Sequence, residues 1–155
     1  MNNVLGFDIS SSTIGWAYMS FDGESMVLNS YGHYKPPKST KGSIAYRLSH
    51  AYDDIYKIIK NINPNEIAVE QYASRFMSGK SSARTIIVLA VFNEMVSVCS
   101  IKSISKETYK YTASSIRKQI SDFYKCSIKT KEDAFEFVNN NFNNFKIIKN
   151  SRGNI

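Results

Sequence analysis

Two carboxylates carry the chemistry in this chain. Asp8 follows the apolar run "VLGF" at residues 4–7, and Glu70 closes the run "EIAVE" at residues 66–70. Each reads as the last residue of a β-strand. A lone carboxylate at the end of a buried-looking strand is costly unless something pairs it. The options are a metal ion, a phosphate chelate or a structural hydrogen bond. If the two strands are neighbours, both acids face one crevice outside the carboxyl ends of the sheet, where α/β proteins gather their sites. Two carboxylates held together repel and raise each other's pKa unless a cation holds them. Mg²⁺ takes a few carboxylates together with water and substrate phosphates. Two such ions about 4 Å apart clamp the attacking and leaving oxygens of a phosphodiester. The plain alternative is that Asp8 caps the serine turn after it and Glu70 makes a surface salt bridge.

The elements around these acids follow from hydrophobic periodicity. Residues 14–21 and 26–34 read as strands two and three, joined at Asp22-Gly23, a strong hairpin signal. "KPPKSTKGS" is a loop, and its Lys35, Lys38 and Lys41 read as a charged loop only. From Ile44 the period changes: Leu48, Ala51, Ile55, Ile59 and Ile62 recur at helical steps until "NPN" at 63–65. Glu66 to Glu70 is a short buried strand, and "QYASRFMSGKSS" a polar loop. A long helix is expected over 82–97, then a short strand at 109–111. A helix capped by Ser114 or Ser115 follows, and a last one starts after Thr130. The order is α/β with a mixed sheet, an antiparallel three-strand start and then alternating helices and strands. That is the ribonuclease H-like order. The 155 residues suit a single domain, 1–155.

Twenty Lys and Arg against thirteen Asp and Glu leave a net charge of +7, which favours an anionic partner such as nucleic acid. Cys99 and Cys126 have no paired spacing, and His33 and His50 lie far apart, so neither a disulfide framework nor a zinc site is expected. A reducing compartment, the cytoplasm, is the expected location. No apolar run of membrane-spanning length is visible and no signal peptide, so no membrane association is expected.

"VLGFDISSSTIGWA" together with "IAVEQ" resembles the RuvC-like Holliday junction resolvases, especially short phage and bacterial versions. In that family the first strand ends in a catalytic aspartate and the fourth in a catalytic glutamate, and Asp8 and Glu70 match those positions. "FMSGKSSARTIIVLAVFNEMV" looks like the family's long helix and preceding loop, and "SSIRKQI" is similar to its basic segment. The resemblance implies a homodimer that nicks opposing strands of a four-way DNA junction with Mg²⁺ or Mn²⁺. It implies an aromatic wedge and cations in the loop after Glu70, which would be Phe76 (Tyr72 second), Arg75 and Lys80. A basic stretch near the scissile phosphate would be Arg117, Lys118, Lys129 and Lys131, with Lys118 and Lys131 foremost.

The family's final helix carries an Asp-x-x-Asp or His-x-x-Asp pair, and no acid occurs here after Glu136. Three explanations follow: the remaining acids lie beyond Ile155, Asp133 and Glu136 on one helix face replace them, or the protein binds junctions without cutting. The first is preferred, and impaired cleavage by this chain is expected. "GFDISSSTIGWA" also resembles the phosphate-1 loop of actin-like and sugar-kinase-like ATPases, and a related nuclease acting on flap or branched DNA is a further reading.

Overall fold

The computed structural model describes residues 2–38, 42–72 and 83–145. They fall into two compact units, Met1–Ala113 and Ser114–Ile155. The first unit holds the sheet. Strands β1 (Asn2–Ile9), β2 (Ile14–Phe21), β3 (Met26–Tyr34), β4 (Glu66–Glu70) and β5 (Tyr109–Tyr111) lie in the order β3-β2-β1-β4-β5. β1 pairs antiparallel with β2 and parallel with β4; β5 is parallel to β4. The mixed sheet expected from the sequence is the observed one.

The alternation along β1 explains how the sheet is covered. Leu5, Phe7 and Ile9 are buried, as are Ile67 and Val69 of β4, whereas the residues between them are not. The buried set packs into one core with Ala51, Ile55 and Ile59 of α1 (Ile44–Ile62) and with Val88, Phe92, Val96 and Cys99 of α2 (Ala83–Ile104). Both helices therefore lie on one face of the sheet.

The local signals account for the ends of these elements. The Ser43 hydroxyl caps α1 by accepting from the Tyr46 amide at 3.1 Å, and Asn63 ends it in the left-handed region at φ 49. In the β2–β3 turn, the Asp22 carboxylate accepts from the Glu24 and Ser25 amides at 3.0 and 2.8 Å, and Gly23 supplies φ 108. β2 and β3 shift register between Tyr18 and Met19, a bulge that sets Trp16 opposite Gly32. A Cβ at Gly32 would stand 2.8 Å from the Trp16 indole, so only glycine leaves the ring room.

Three expectations are corrected. Helix α2 runs seven residues past Ser97, and two of its serines find partners inside the fold: Ser97 Oγ bonds Asn93 O and Thr108 Oγ1, and Ser100 Oγ donates to Lys106 O at 2.6 Å. By length and composition α2 is also long and apolar enough to cross a membrane, contrary to the reading of the sequence. Its apolar stretch is interrupted by Asn93 and Glu94, which hides its length from a search for unbroken runs, and its Phe92, Val96 and Cys99 are buried in the core. Finally, α3 starts at Ala113, so Ser114 and Ser115 lie in its first turn, too late to cap it. The two cysteines are unpaired, as expected; burial pushes the Cys99 thiol up to about 12.

The second unit contains most of α3 (Ala113–Tyr124) and α4 (Lys131–Asn141). Thr130 and Asp133 form a capping box at the start of α4. The Asp133 carboxylate accepts from the Thr130 and Lys129 amides, each at 2.8 Å, which holds its pKa below the ordinary 3.8. That stabilisation is complete above 3.8 and is lost as pH falls through the lowered folded value. The Lys129 and Thr130 amide resonances should therefore move together in an acid titration from about pH 6 to pH 2, with a midpoint below 3.8; in Asp133→Asn that step should vanish. In the first unit, Ile55→Ala removes a fully buried core side chain and should cost about 2–5 kcal/mol, read from urea unfolding.

Candidate active site

The register of β1 and β4 brings the two sequence-predicted acids together. Phe7 pairs with Val69 and both are buried, so one step further Asp8 and Glu70 stand side by side on the opposite face. Neighbouring strands are about 4.8 Å apart. Both acids sit at the carboxyl ends of their strands, since β1 ends at Ile9 and β4 at Glu70. Asp8 is exposed rather than buried, which corrects the premise that it is a desolvated charge. The strand alternates, and the apolar neighbours of Asp8 face the core while its own side chain does not.

Register extends the row across the sheet. Asp8 lies opposite Gly15 of β2, Gly15 opposite His33 of β3, and Glu70 beside Tyr111 of β5. The row on this face reads His33, Gly15, Asp8, Glu70, Tyr111. Glycine at position 15 leaves open space next to Asp8, because an added Cβ would meet nothing closer than the Asp8 carbonyl at 3.9 Å. Reasoning from sequence set His33 aside as isolated; the bulge in the β2–β3 ladder is what places it in this row.

The alternative that Asp8 caps the serine turn is not what forms. Residues 10–13 are closed by Ser10, whose hydroxyl accepts from the Thr13 amide at 3.0 Å and donates to the Thr13 carbonyl at 2.9 Å. Arg47, 5% exposed, ties this turn to the next loop. Its Nη2 donates to Ser11 O and its Nε to Pro37 O at 2.7 Å, with the guanidinium over the Phe92 ring. On the other acid, the buried Asn93 of α2 reaches the Glu70 carbonyl at 3.4 Å, linking the core helix to the end of β4.

The remaining site residues read from the sequence are distributed. Tyr72 is described and half-buried, whereas Arg75, Phe76 and Lys80 lie outside the described residues. In the second unit, Arg117 donates to the Lys129 carbonyl at 3.1 Å, and Lys118 and Lys131 are exposed. Asp133 is committed to the cap of α4, and Glu136 is exposed on the same helix. Among the described residues, no three His, Cys, Asp or Glu side chains stand close enough together to hold a metal ion. What the described residues offer a metal is thus the Asp8–Glu70 pair, a hard oxygen set suited to Mg²⁺ or Mn²⁺, with the other coordination positions left to water and phosphate.

The strand order, the parallel β1–β4 pair and the helices on one face define a ribonuclease H-like α/β fold. Thermus thermophilus RuvC in complex with a Holliday junction substrate superposes with a TM-score of 0.74 at 13% identity, covering 97% of this chain and 85% of that one. The yeast mitochondrial Holliday junction resolvase Ydc2 gives a TM-score of 0.53 at 12% identity, over 90% of this chain and 69% of that one. In sequence, the crossover junction endodeoxyribonuclease RuvC of Pseudothermotoga lettingae is 26% identical over 141 residues, 88% of this chain and 80% of that one. Residues 4–132 match the family of the crossover junction endodeoxyribonuclease RuvC, and the chain belongs to that family.

Arg47→Met keeps the apolar stem and deletes the guanidinium, leaving the carbonyls of Ser11 and Pro37 without their donor. Unfolding in urea should show a loss of about 1–3 kcal/mol, as for the loss of hydrogen bonds made by a charged donor.

Proposed function

We propose that this chain is a structure-specific endonuclease that resolves four-way DNA junctions by metal-dependent phosphodiester hydrolysis. The observation that carries the reading is the placement of Asp8 and Glu70 side by side at the carboxyl ends of two parallel strands, in a chain of the RuvC family. Two like charges in adjacent register destabilise a sheet unless a cation sits between them. A divalent ion there would neutralise charge on the scissile phosphate and make bound water nucleophilic at neutral pH.

The chain's own residues have three tasks in this reading. Asp8 and Glu70 hold the ion and face the phosphate. Gly15 keeps the lane beside Asp8 clear for the DNA strand. Arg117, Lys118, Lys129 and Lys131, with Arg75 and Lys80, bind backbone phosphates and so position the junction without reading bases, while Phe76 wedges against bases. A homodimer suits the substrate, because a two-fold pair presents two equivalent sites to a nearly two-fold junction. A second reading, junction binding without cleavage, is favoured by one observation: among the described residues no third His, Cys, Asp or Glu joins the Asp8–Glu70 pair to form a metal-holding group.

A gel assay on labelled four-way DNA separates the two. Paired nicks in Mg²⁺ or Mn²⁺ should drop about a hundredfold or more in Asp8→Asn and in Glu70→Gln, corresponding to about 3 kcal/mol of lost transition-state stabilisation. Junction binding should persist in both. Tight binding with no metal-dependent nicking in the unaltered chain would establish the second reading, and absence of binding would remove both.

A further inference from the structure

Beside the hairpin turn 10–13 opens a cleft of about 720 Å³ that includes neither Asp8 nor Glu70. The turn forms one wall through Ser11, Ser12 and Thr13, and the segment after β3 forms another through Lys35 and Lys38. Arg84, in the first turn of α2, and Arg47, from α1, complete it. Four cations from three separate chain segments thus converge, and no acid is among the described lining residues. Lys35 and Lys38, read from sequence as a charged loop only, are walls of a shaped cavity.

The electrostatics are unbalanced. The ion pair formed among the described residues is Lys110–Glu94, elsewhere on the first unit, and none of the four cleft cations takes part in one. Arg47 is the telling residue. It is nearly fully buried, yet the partners it has are the neutral carbonyls of Ser11 and Pro37 and the ring of Phe92. A buried guanidinium without a carboxylate keeps its full charge in a medium that screens poorly. The exposed Lys35, Lys38 and Arg84 add to the same potential rather than relieve it. An anion would relieve all four. Guanidinium, ammonium and hydroxyl donors around one space are the donor set for phosphate oxygens.

The geometry points to this cleft as a phosphate-binding site, separate from the acid pair, that holds a backbone phosphodiester of a DNA arm passing the sheet edge. The assignment to DNA rests on the nuclease reading above; the phosphate chemistry does not. Arg47 is the fixed element, because the two carbonyl bonds that bury it also hold the walls at their separation. Lys38 and Arg84 are the exposed donors at the rim.

The test uses the full chain, the double variant Lys38→Ala/Arg84→Ala, and a control of equal charge, Lys57→Ala/Lys60→Ala, on the exposed side of α1. Binding of labelled four-way DNA is measured by fluorescence anisotropy across a salt series. Amide NMR of Ser12 and Thr13 is followed with inorganic phosphate and separately with ATP. The cleft variant should bind DNA about tenfold more weakly at low salt, with a log–log salt slope smaller by about two, one per lost phosphate contact. The control should keep the slope of the unaltered chain, and all three proteins should unfold at the same temperature. A cleft variant with the unaltered slope overturns the proposal. If the unaltered chain binds no DNA, the nuclease reading fails separately. The phosphate site then stands if inorganic phosphate shifts the Ser12 and Thr13 amides in the unaltered chain and not in the variant, and falls if it does not. Saturation by ATP at far lower concentration than by phosphate would overturn the DNA assignment in favour of a nucleotide.

Discussion

The parallel pairing of β1 with β4 is the constraint on which the rest of this molecule depends. It is non-local, since strands β2 and β3 and helix α1 all intervene. Two asparagines help set it: the Asn3 amide donates to Asn65 Oδ1 at 3.2 Å, and the Asn65 amide to Asn3 Oδ1 at 2.6 Å. This reciprocal pair ties the start of β1 to the residue before β4, and the Lys106 ammonium adds a bond to the Asn65 carbonyl. A slip of one residue would exchange the two faces of a strand. Leu5 and Phe7 would leave the core, and Asp8 would turn into it. Apolar burial and the position of the carboxylate are therefore settled by the same register.

That register also separates two kinds of charge. The acids stand on the face of the sheet away from α1 and α2, at the strand ends. Four cations line the cleft beside the turn 10–13 and the first turn of α2, where buried Arg47 joins two loops. In the proposed function the two have different tasks: the cations would hold phosphates without chemistry, and the acid pair would hold a metal ion where chemistry occurs.

Much of the fold was legible because its signals are local. Strands β2 through β5 carry β-branched and aromatic runs bounded by turn residues, and helix α1 shows a clean three- and four-residue period with Ser43 and Asn63 at its ends. The start of α4 was legible for the same reason, a Thr130–Asp133 capping box. Where the reading fell short, tertiary bonds had overridden local preference. Serines 97 and 100 suggest an early end to α2, but their hydroxyls find partners within the fold, and the helix continues to Ile104. The start of α3 at Ala113 left Ser114 and Ser115 inside the helix, since any of several neighbouring hydroxyl residues offers a cap by composition alone.

From the sequence by itself came the strand ends that carry Asp8 and Glu70, the mixed α/β order and the basic balance, all consequences of residue type and short-range spacing. Tertiary structure decided what stands beside what. Counting back from the Asp22-Gly23 turn would set Gly15 opposite Gly32; the bulge at Tyr18/Met19 moves the ladder by one and sets it opposite His33. Likewise, nothing local marks Arg47, Lys38 and Arg84 as neighbours, because they come from α1, the loop before it and α2. Registers and cavities depend on long-range pairing, and a chain read residue by residue holds no record of which distant segments will meet.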